Sequence, residues 1–445
     1  MTDEGLQASE MVGLKTEPAQ QGDVTDGPEP ASAQPELPGA ESTGDTASAS
    51  GFSKKHFALG LLVGFVLVMG VAYTQRERYT DRLAQVSRSL IGDENTARIE
   101  SWYFSVQDKA DQLKFKVFGG STNPFGEDET ATAAPLVTGA AADSMHALDP
   151  TYFQTPKPSP LALPETRPLS SKLEQGEGVW TTAGLPRSSP EDVLMAKTFI
   201  RPDTSRPYAL VGVLLLDKRR IQLHITGGTQ DPGGDLGVKG PGIIPDAHRT
   251  DLLAAWNGGF RGPHGGYGMY ADGKQYRPLR NGYASMAVMK DGTMKMGEWG
   301  RDLTWSDDMV AVRQNAVLLV DKCEVSKRTS EGNATWGYVQ VNSAEFITWR
   351  SAIGLTQNGD LLVAAGNSLS ADSLARALWA AGACYAMQLD INTPYVLASL
   401  YFPQQDGSIK AAKFMESMVD GPGRFFTTQA NDFMYATLDE TNYKP

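Results

Sequence analysis

Short apolar runs separated by tight turn signals fill the second half of this chain, and they constrain its fold more than any other feature. Residues 208–216 and 221–225 are apolar segments joined by Asp217-Lys218-Arg219-Arg220. Residues 285–289 and 293–296 flank Lys290-Asp291-Gly292, and Asn358-Gly359 separates 352–355 from 361–364. Asn, Asp and Gly at such positions tolerate the left-handed backbone that closes a hairpin. Residues 317–320, 346–349 and 385–389 are further runs of strand length. Two segments read as helices: 245–255, with Pro245 suited to a first turn, and 372–383, with Leu374, Ala375 and Leu378 on one face. Strands outnumber helices. The expected fold class for residues 172–445 is therefore α+β, with a mixed, largely antiparallel sheet and accompanying helices.

The first 171 residues are different in kind. Residues 1–53 are rich in Glu, Asp, Pro, Gly, Ser and Thr and hold too little apolar surface to offset ordering entropy; they read as a disordered acidic tail. His56 to Gln75 then runs twenty residues without Asp, Glu, Lys or Arg. That length crosses a bilayer as one helix, so residues 54–75 are expected to be a transmembrane segment. Leu83, Val86, Leu90, Ile99, Tyr103, Val106 and Leu113 recur at helical intervals, which predicts a stalk over 76–118 and a surface for homo-oligomerisation. Prolines 135, 150, 156, 158, 160, 164 and 168 make 119–171 an extended spacer.

A net charge of −12 argues against a nucleic-acid partner, which needs clustered Lys and Arg. The two cysteines, Cys323 and Cys384, fit either one disulfide or two buried thiols. The five histidines form no zinc pattern, and no metal or cofactor is expected.

Four features bear on chemistry. Asn257-Gly258-Gly259-Phe260 ends an apolar run and opens a glycine-rich loop. Its glycines admit close backbone approach, and the Asn amide both donates and accepts, as holding a sugar hydroxyl or a water requires. Arg350 lies between apolar runs and needs a partner, either an internal carboxylate or the phosphate of a ligand. Asp390 ends the run 385–389, where a carboxylate can serve as nucleophile, base or hydroxyl-binding group, or simply form a turn with Asn392-Thr393-Pro394. Glu298 and Asp302 read as surface-loop residues.

In their order and surroundings these segments resemble the phosphodiester glycosidase family over residues 172–440. The family's NGGFF-type motif is similar to Asn257-Gly258-Gly259-Phe260, with Arg261 where a second Phe often stands. Its strand-turn-strand matches Ala287-Val288 through Gly292 to Gly297. Its Arg before a small-apolar-Gly strand is similar to Arg350-Ser351-Ala352-Ile353-Gly354, and the following turn to Asn358-Gly359. Its late "LDGGGS"-type strand end is similar to Leu389-Asp390, followed here by Ile391-Asn392-Thr393-Pro394.

The resemblance implies hydrolysis of a sugar-1-phosphodiester in an envelope or secreted glycan. Asp390, Asn257 and Arg350 would be catalytic, and Gly258, Gly259, Phe260 and Asn392 would bind substrate. A non-catalytic glycan-binding or scaffold protein is the alternative, because the family's glycines after the Asp are replaced. The family works outside the cytoplasm, which implies a single-pass protein with an extracytoplasmic C-terminal domain. Arg76, Arg78, Arg82 and Arg88 outnumber Lys54 and Lys55 and favour the reverse orientation, although a long folded domain translocates regardless of flanking charge.

Overall fold

The computed structural model describes residues 160–337, 347–404 and 406–441, together with 105–119, 123–126 and several positions between 90 and 102. The expected acidic tail, the membrane span over 54–75 and most of the spacer lie outside these residues. Among the described residues no helix is long and apolar enough to cross a membrane.

Among the described residues, seventeen strands form three sheets. The largest runs β1 (Met195–Ile200), β2 (Val211–Leu216), β13 (Leu361–Leu369), β12 (Thr348–Thr356), β14 (Ala383–Ile391), β10 (Leu318–Asp321) and β11 (Glu324–Val325). The second runs β16 (Ile409–Lys413), β15 (Ala398–Pro403), β4 (Leu252–Asn257), β17 (Phe433–Leu438) and β3 (Ile221–Thr226). The third runs β6 (Lys274–Arg277), β5 (Met269–Ala271), β9 (Met309–Gln314), β7 (Ala284–Met289) and β8 (Met294–Glu298). Every pairing between these strands is antiparallel. The fold is β-rich, with few helices, and the single sheet expected from the sequence is three.

The large sheet is covered on both faces. Leu214, Leu216, Trp349, Ile353, Val363, Met387 and Leu389 enter a core shared with the second sheet. Val211, Val213, Leu215, Ala352, Leu362 and Ala364 face the other way and pack with α1 (Ala371–Ala380). Burial on both sides explains why these strands are continuously apolar rather than alternating. α1 starts at a reciprocal cap in which Ser373 N–H donates to Ser370 Oγ at 3.1 Å, and it buries Leu374, Ala375 and Leu378.

Two sequence expectations are corrected. The helix expected over 245–255 is a short 3-10 turn, Asp246–His248, followed by β4. β4 is a central strand between β15 and β17, and its six residues are all buried, so it carries no alternation to betray it. The separate runs 346–349 and 352–355 are one strand, β12, which continues through Arg350 and Ser351.

Cys323 and Cys384 form a disulfide that ties the β10–β11 turn to β14. The expected spacer ends earlier than residue 172. Leu161 is buried, and Arg167 donates from its N–H to Ala380 O at 2.8 Å and stacks over the Trp379 ring at 4.7 Å. The contiguous helix 105–118 of the expected stalk meets the globular part through Asp108. That carboxylate pairs with Arg206 at 3.2 Å and accepts from Tyr208 at 2.7 Å.

On β3, the His224 ring stacks on Tyr435 at 4.5 Å and lies 4.6 Å from His248. Burial, reinforced by His248 and opposed by Asp439, pushes His224 down to about 4 from its ordinary 6.5. The unfolded chain therefore binds more protons between those values, and the fold loses stability as pH falls from about 6.5 to about 4. Melting at pH 7 and at pH 4.5 is expected to give the wild type a larger loss on acidification than His224→Phe shows. Equal losses would remove His224 as the cause.

Candidate functional site

The site forms where β14 ends against β4. Arg350 pairs with Ile391 and Ala352 with Gln388, so Leu389 and Asp390 together oppose Ser351. This bulge turns Asp390 toward the face shared with Leu389, away from α1. Asn257 is the last residue of β4 and arrives on the same face. Ser351 joins the two, accepting from Asn257 Nδ2 at 2.9 Å and donating to Asp390 O at 2.8 Å. Leu397 N–H donates to Asn257 Oδ1 at 3.2 Å, which locks the amide. Asp390 N–H donates to Gly258 O at 2.9 Å. Asn257 and Asp390 each keep 8 % exposure, so both sit at the inner limit of solvent access.

Burial pushes the Asp390 carboxyl up to about 8. The Ile391 N–H, 2.9 Å from Oδ1, opposes the shift, as do Arg261 and Arg313, while Asp432 adds to it. Burial therefore favours the neutral, proton-donating form of Asp390 at pH 7.

The glycine loop is held from beneath. Gly258 N–H donates to Asp432 O at 3.0 Å, and Gly259 N–H to Asp432 Oδ2 at 3.2 Å. Both glycine amides are thus engaged internally by Asp432, Gly258 on its backbone carbonyl and Gly259 on its carboxylate. Arg313, fully buried, grips Asp432 with two donors at 2.8 and 3.1 Å and also donates to Phe260 O at 2.8 Å. Asn315 Oδ1 accepts from Phe260 N–H at 3.1 Å. The Phe260 ring is buried against Tyr267, with ring centroids 6.1 Å apart. Asn392 adopts φ 71°, and its Oδ1 accepts from Thr348 at 2.7 Å.

Arg350 does not join Asn257 and Asp390. It shares the face of Ala352, and its guanidinium donates to Leu369 O and Trp336 O, each at 3.0 Å, and to Gln388 Oε1 at 2.6 Å. Side chains alternate along a strand, so Arg350 and Ser351 necessarily point to opposite faces. Glu298 and Asp302 lie at the surface, where the Glu298 N–H donates to Asp302 Oδ2 at 2.9 Å. Among the described residues no three His, Cys, Asp or Glu side chains gather as a metal-ligand set. A cavity of about 490 Å³ lies between helix 105–118 and the residues around Tyr208, Ser368 and Glu416, and no candidate residue lines it.

Ser351, Arg313, Asn315, Asp432, Asp231 and Arg261 complete the neighbourhood. Nothing local in the sequence marks the first five. Arg261 carried a signal, as the charged residue at a position where the resemblance leads one to expect Phe.

No family model matches the chain, and no curated protein matches it. Solved structures similar to it include the zebrafish N-acetylglucosamine-1-phosphodiester alpha-N-acetylglucosaminidase catalytic domain auto-inhibited by its pro-peptide. That match has 17% identity, covers 57% of this chain and 87% of that one, and has a TM-score of 0.34. A hypothetical protein from Synechocystis matches at 11% identity, covering 56% of this chain and 63% of that one, with a TM-score of 0.31. A putative exported protein from Burkholderia pseudomallei K96243 matches at 12% identity, covering 52% and 74%, with a TM-score of 0.28.

Proposed function

We propose that this chain hydrolyses a sugar-1-phosphodiester of an envelope or secreted glycan. The observation that carries the reading is the placement of Asp390: its backbone carbonyl is tied to Asn257 through the Ser351 hydroxyl, and its carboxyl is buried near the end of β14, where burial pushes it up to about 8. A protonated carboxyl beside a rigid amide is the equipment of a general acid with a sugar-positioning partner. The sequence resemblance at 257–260 and 389–390 supports the same reading.

In this mechanism Asp390 gives its proton to the phosphate oxygen as the anomeric C–O bond breaks. Water adds to the anomeric carbon, and the proton it releases restores Asp390. Asn257 positions the sugar or the water. Arg350 acts at one remove, holding Gln388 and the end of β14 in place, and Asn392 shapes the turn that follows. Buried donors that are already satisfied reorganise little during the reaction, which favours the charge-separated transition state.

Anchoring by residues 56–75 and an extracytoplasmic C-terminal domain belong to the proposal. The uncharged stretch supports the first, and the Cys323–Cys384 disulfide supports the second, since such bonds persist in oxidising compartments. A second copy of the chain is the proposed partner of the stalk, where Ile99, Val106, Leu113 and Val117 are exposed.

The test is release of phosphomonoester from a panel of sugar-1-phosphodiesters by the purified full chain. Turnover abolished by Asp390→Asn supports the reading. Glycan binding without turnover would replace it with the non-catalytic alternative.

A further inference from the structure

We infer that Arg261 is the anion-binding, specificity-determining residue of this site, and that it takes the phosphate of the glycosyl ester. The inference deepens the proposed function and rests on it for the identity of the anion. Gly258 touches Asp390 through a backbone bond of 2.9 Å, and Arg261 follows three residues later on a segment pinned at both the N–H and the carbonyl of Phe260. Asp231 then holds this segment twice, once at the Arg261 side chain and once at the Gly262 backbone. It accepts from the Arg261 Nε at 2.8 Å and from the Gly262 N–H at 3.0 Å. One edge of the guanidinium is therefore fixed. Among the described residues its two Nη groups make no hydrogen bond, and the side chain keeps 23% exposure. A planar fork with a fixed edge and two open donors matches the oxygens of a phosphate.

The neighbouring guanidinium groups are engaged elsewhere. Arg313 is spent on Asp432, Gln314 O and Phe260 O. Arg350 lies on the face of α1. Arg277 donates to Pro232 O and pairs with Asp235. Arg280 donates to Gly265 O at 2.5 Å and stacks over Tyr283 at 4.7 Å. Arg261 is also within electrostatic reach of Asp390 and Tyr395. A neutral Asp390 does not repel an incoming anion, and the positive charge beside it attracts one. Arg261 thereby assumes the role that the sequence pattern assigned to Arg350.

The experiment measures binding of inorganic phosphate to the full chain by calorimetry, and steady-state kinetics on a sugar-1-phosphodiester, for wild type, Arg261→Gln, Arg261→Lys and Asp390→Asn. Phosphate affinity is expected to fall by roughly tenfold or more in Arg261→Gln, the loss of a charge-assisted pair, and to recover in part in Arg261→Lys. KM is expected to rise in Arg261→Gln while kcat changes little. Asp390→Asn should lose turnover and keep phosphate binding. Phosphate bound equally by wild type and Arg261→Gln, or by neither, overturns the inference, as does unchanged KM in Arg261→Gln. Phosphate binding that depends on Arg261 in a chain that turns over no ester would instead sink the hydrolase reading and leave the anion site standing.

Discussion

Replacing Gly258 with alanine is expected to destabilise the fold by about 4 kcal/mol or more, the range reached only when a substitution forces a clash or breaks a buried network. A Cβ at this position would lie 2.0 Å from Asp432 Oδ2 and 2.6 Å from Asp432 O. Asp432 cannot retreat, because Arg313 holds its carboxylate with two donors in a fully buried pair. The choice is to break that pair, which strands a buried charge at a cost of about 3–5 kcal/mol, or to push the loop off β14. For a domain of this size the melting temperature should drop by about 10 °C. Gly423→Ala is the control, since a Cβ there would meet nothing within 4 Å and the residue's φ of −81° suits any side chain. A Gly258→Ala protein that melts within a degree or so of that control would show that the loop is not packed as described.

Asp390→Asn is expected to abolish turnover, by about 10³-fold or more, while making the protein more stable. The first effect follows from losing the carboxyl proton, which an amide cannot supply. The second follows from the sign of the linkage. The Asp390 carboxyl ionises near its ordinary 3.8 when unfolded and at about 8 when folded, so between those values the folded state holds the extra proton. Its contribution to stability is complete below about 4 and is lost as pH rises through about 8. Asparagine escapes this loss. The melting temperature of Asp390→Asn should therefore exceed that of wild type by a few degrees, on the order of 2–8 °C, with the gap widening from pH 5 to pH 8. Wild-type activity should hold up to about pH 8 and decline above it, as the acid loses its proton. A variant less stable than wild type at pH 8, or a rate that climbs steadily past that pH, would contradict a neutral Asp390.

The two expectations bind one another. Gly258 touches Asp390 through its carbonyl and Asp432 through its N–H, so the loop that positions the acid is the loop that the buried ion pair supports. Damage at Gly258 should cost activity as well as stability. Damage at Asp390 should cost activity alone.

Much of this was legible along the chain. Lys290-Asp291-Gly292 and Asn358-Gly359 announced their hairpins because turn chemistry is local, and the register of β7 with β8 and of β12 with β13 follows from it. Asn257 and Asp390 were legible because each closes an apolar run, where a strand gives way to a loop. β4 was not legible, because burial on both faces erases the alternation that distinguishes a strand from a helix. The partnership of Arg313 with Asp432, 119 residues apart, left no mark, since neither residue has a neighbour that explains it.

Residue order by itself therefore determined the hairpins, the excess of strands over helices and the strand ends that carry two polar groups, since each depends on contacts within a few residues. Only the tertiary structure decided which polar groups meet. Strand pleating sends Arg350 and Ser351 to opposite faces, a one-residue bulge re-aims Asp390, and Asp432, from the far end of the chain, claims both glycine amides through its carbonyl and its carboxylate. Faces, bulges and distant partners are set by packing between sheets, and no stretch of sequence contains that information on its own.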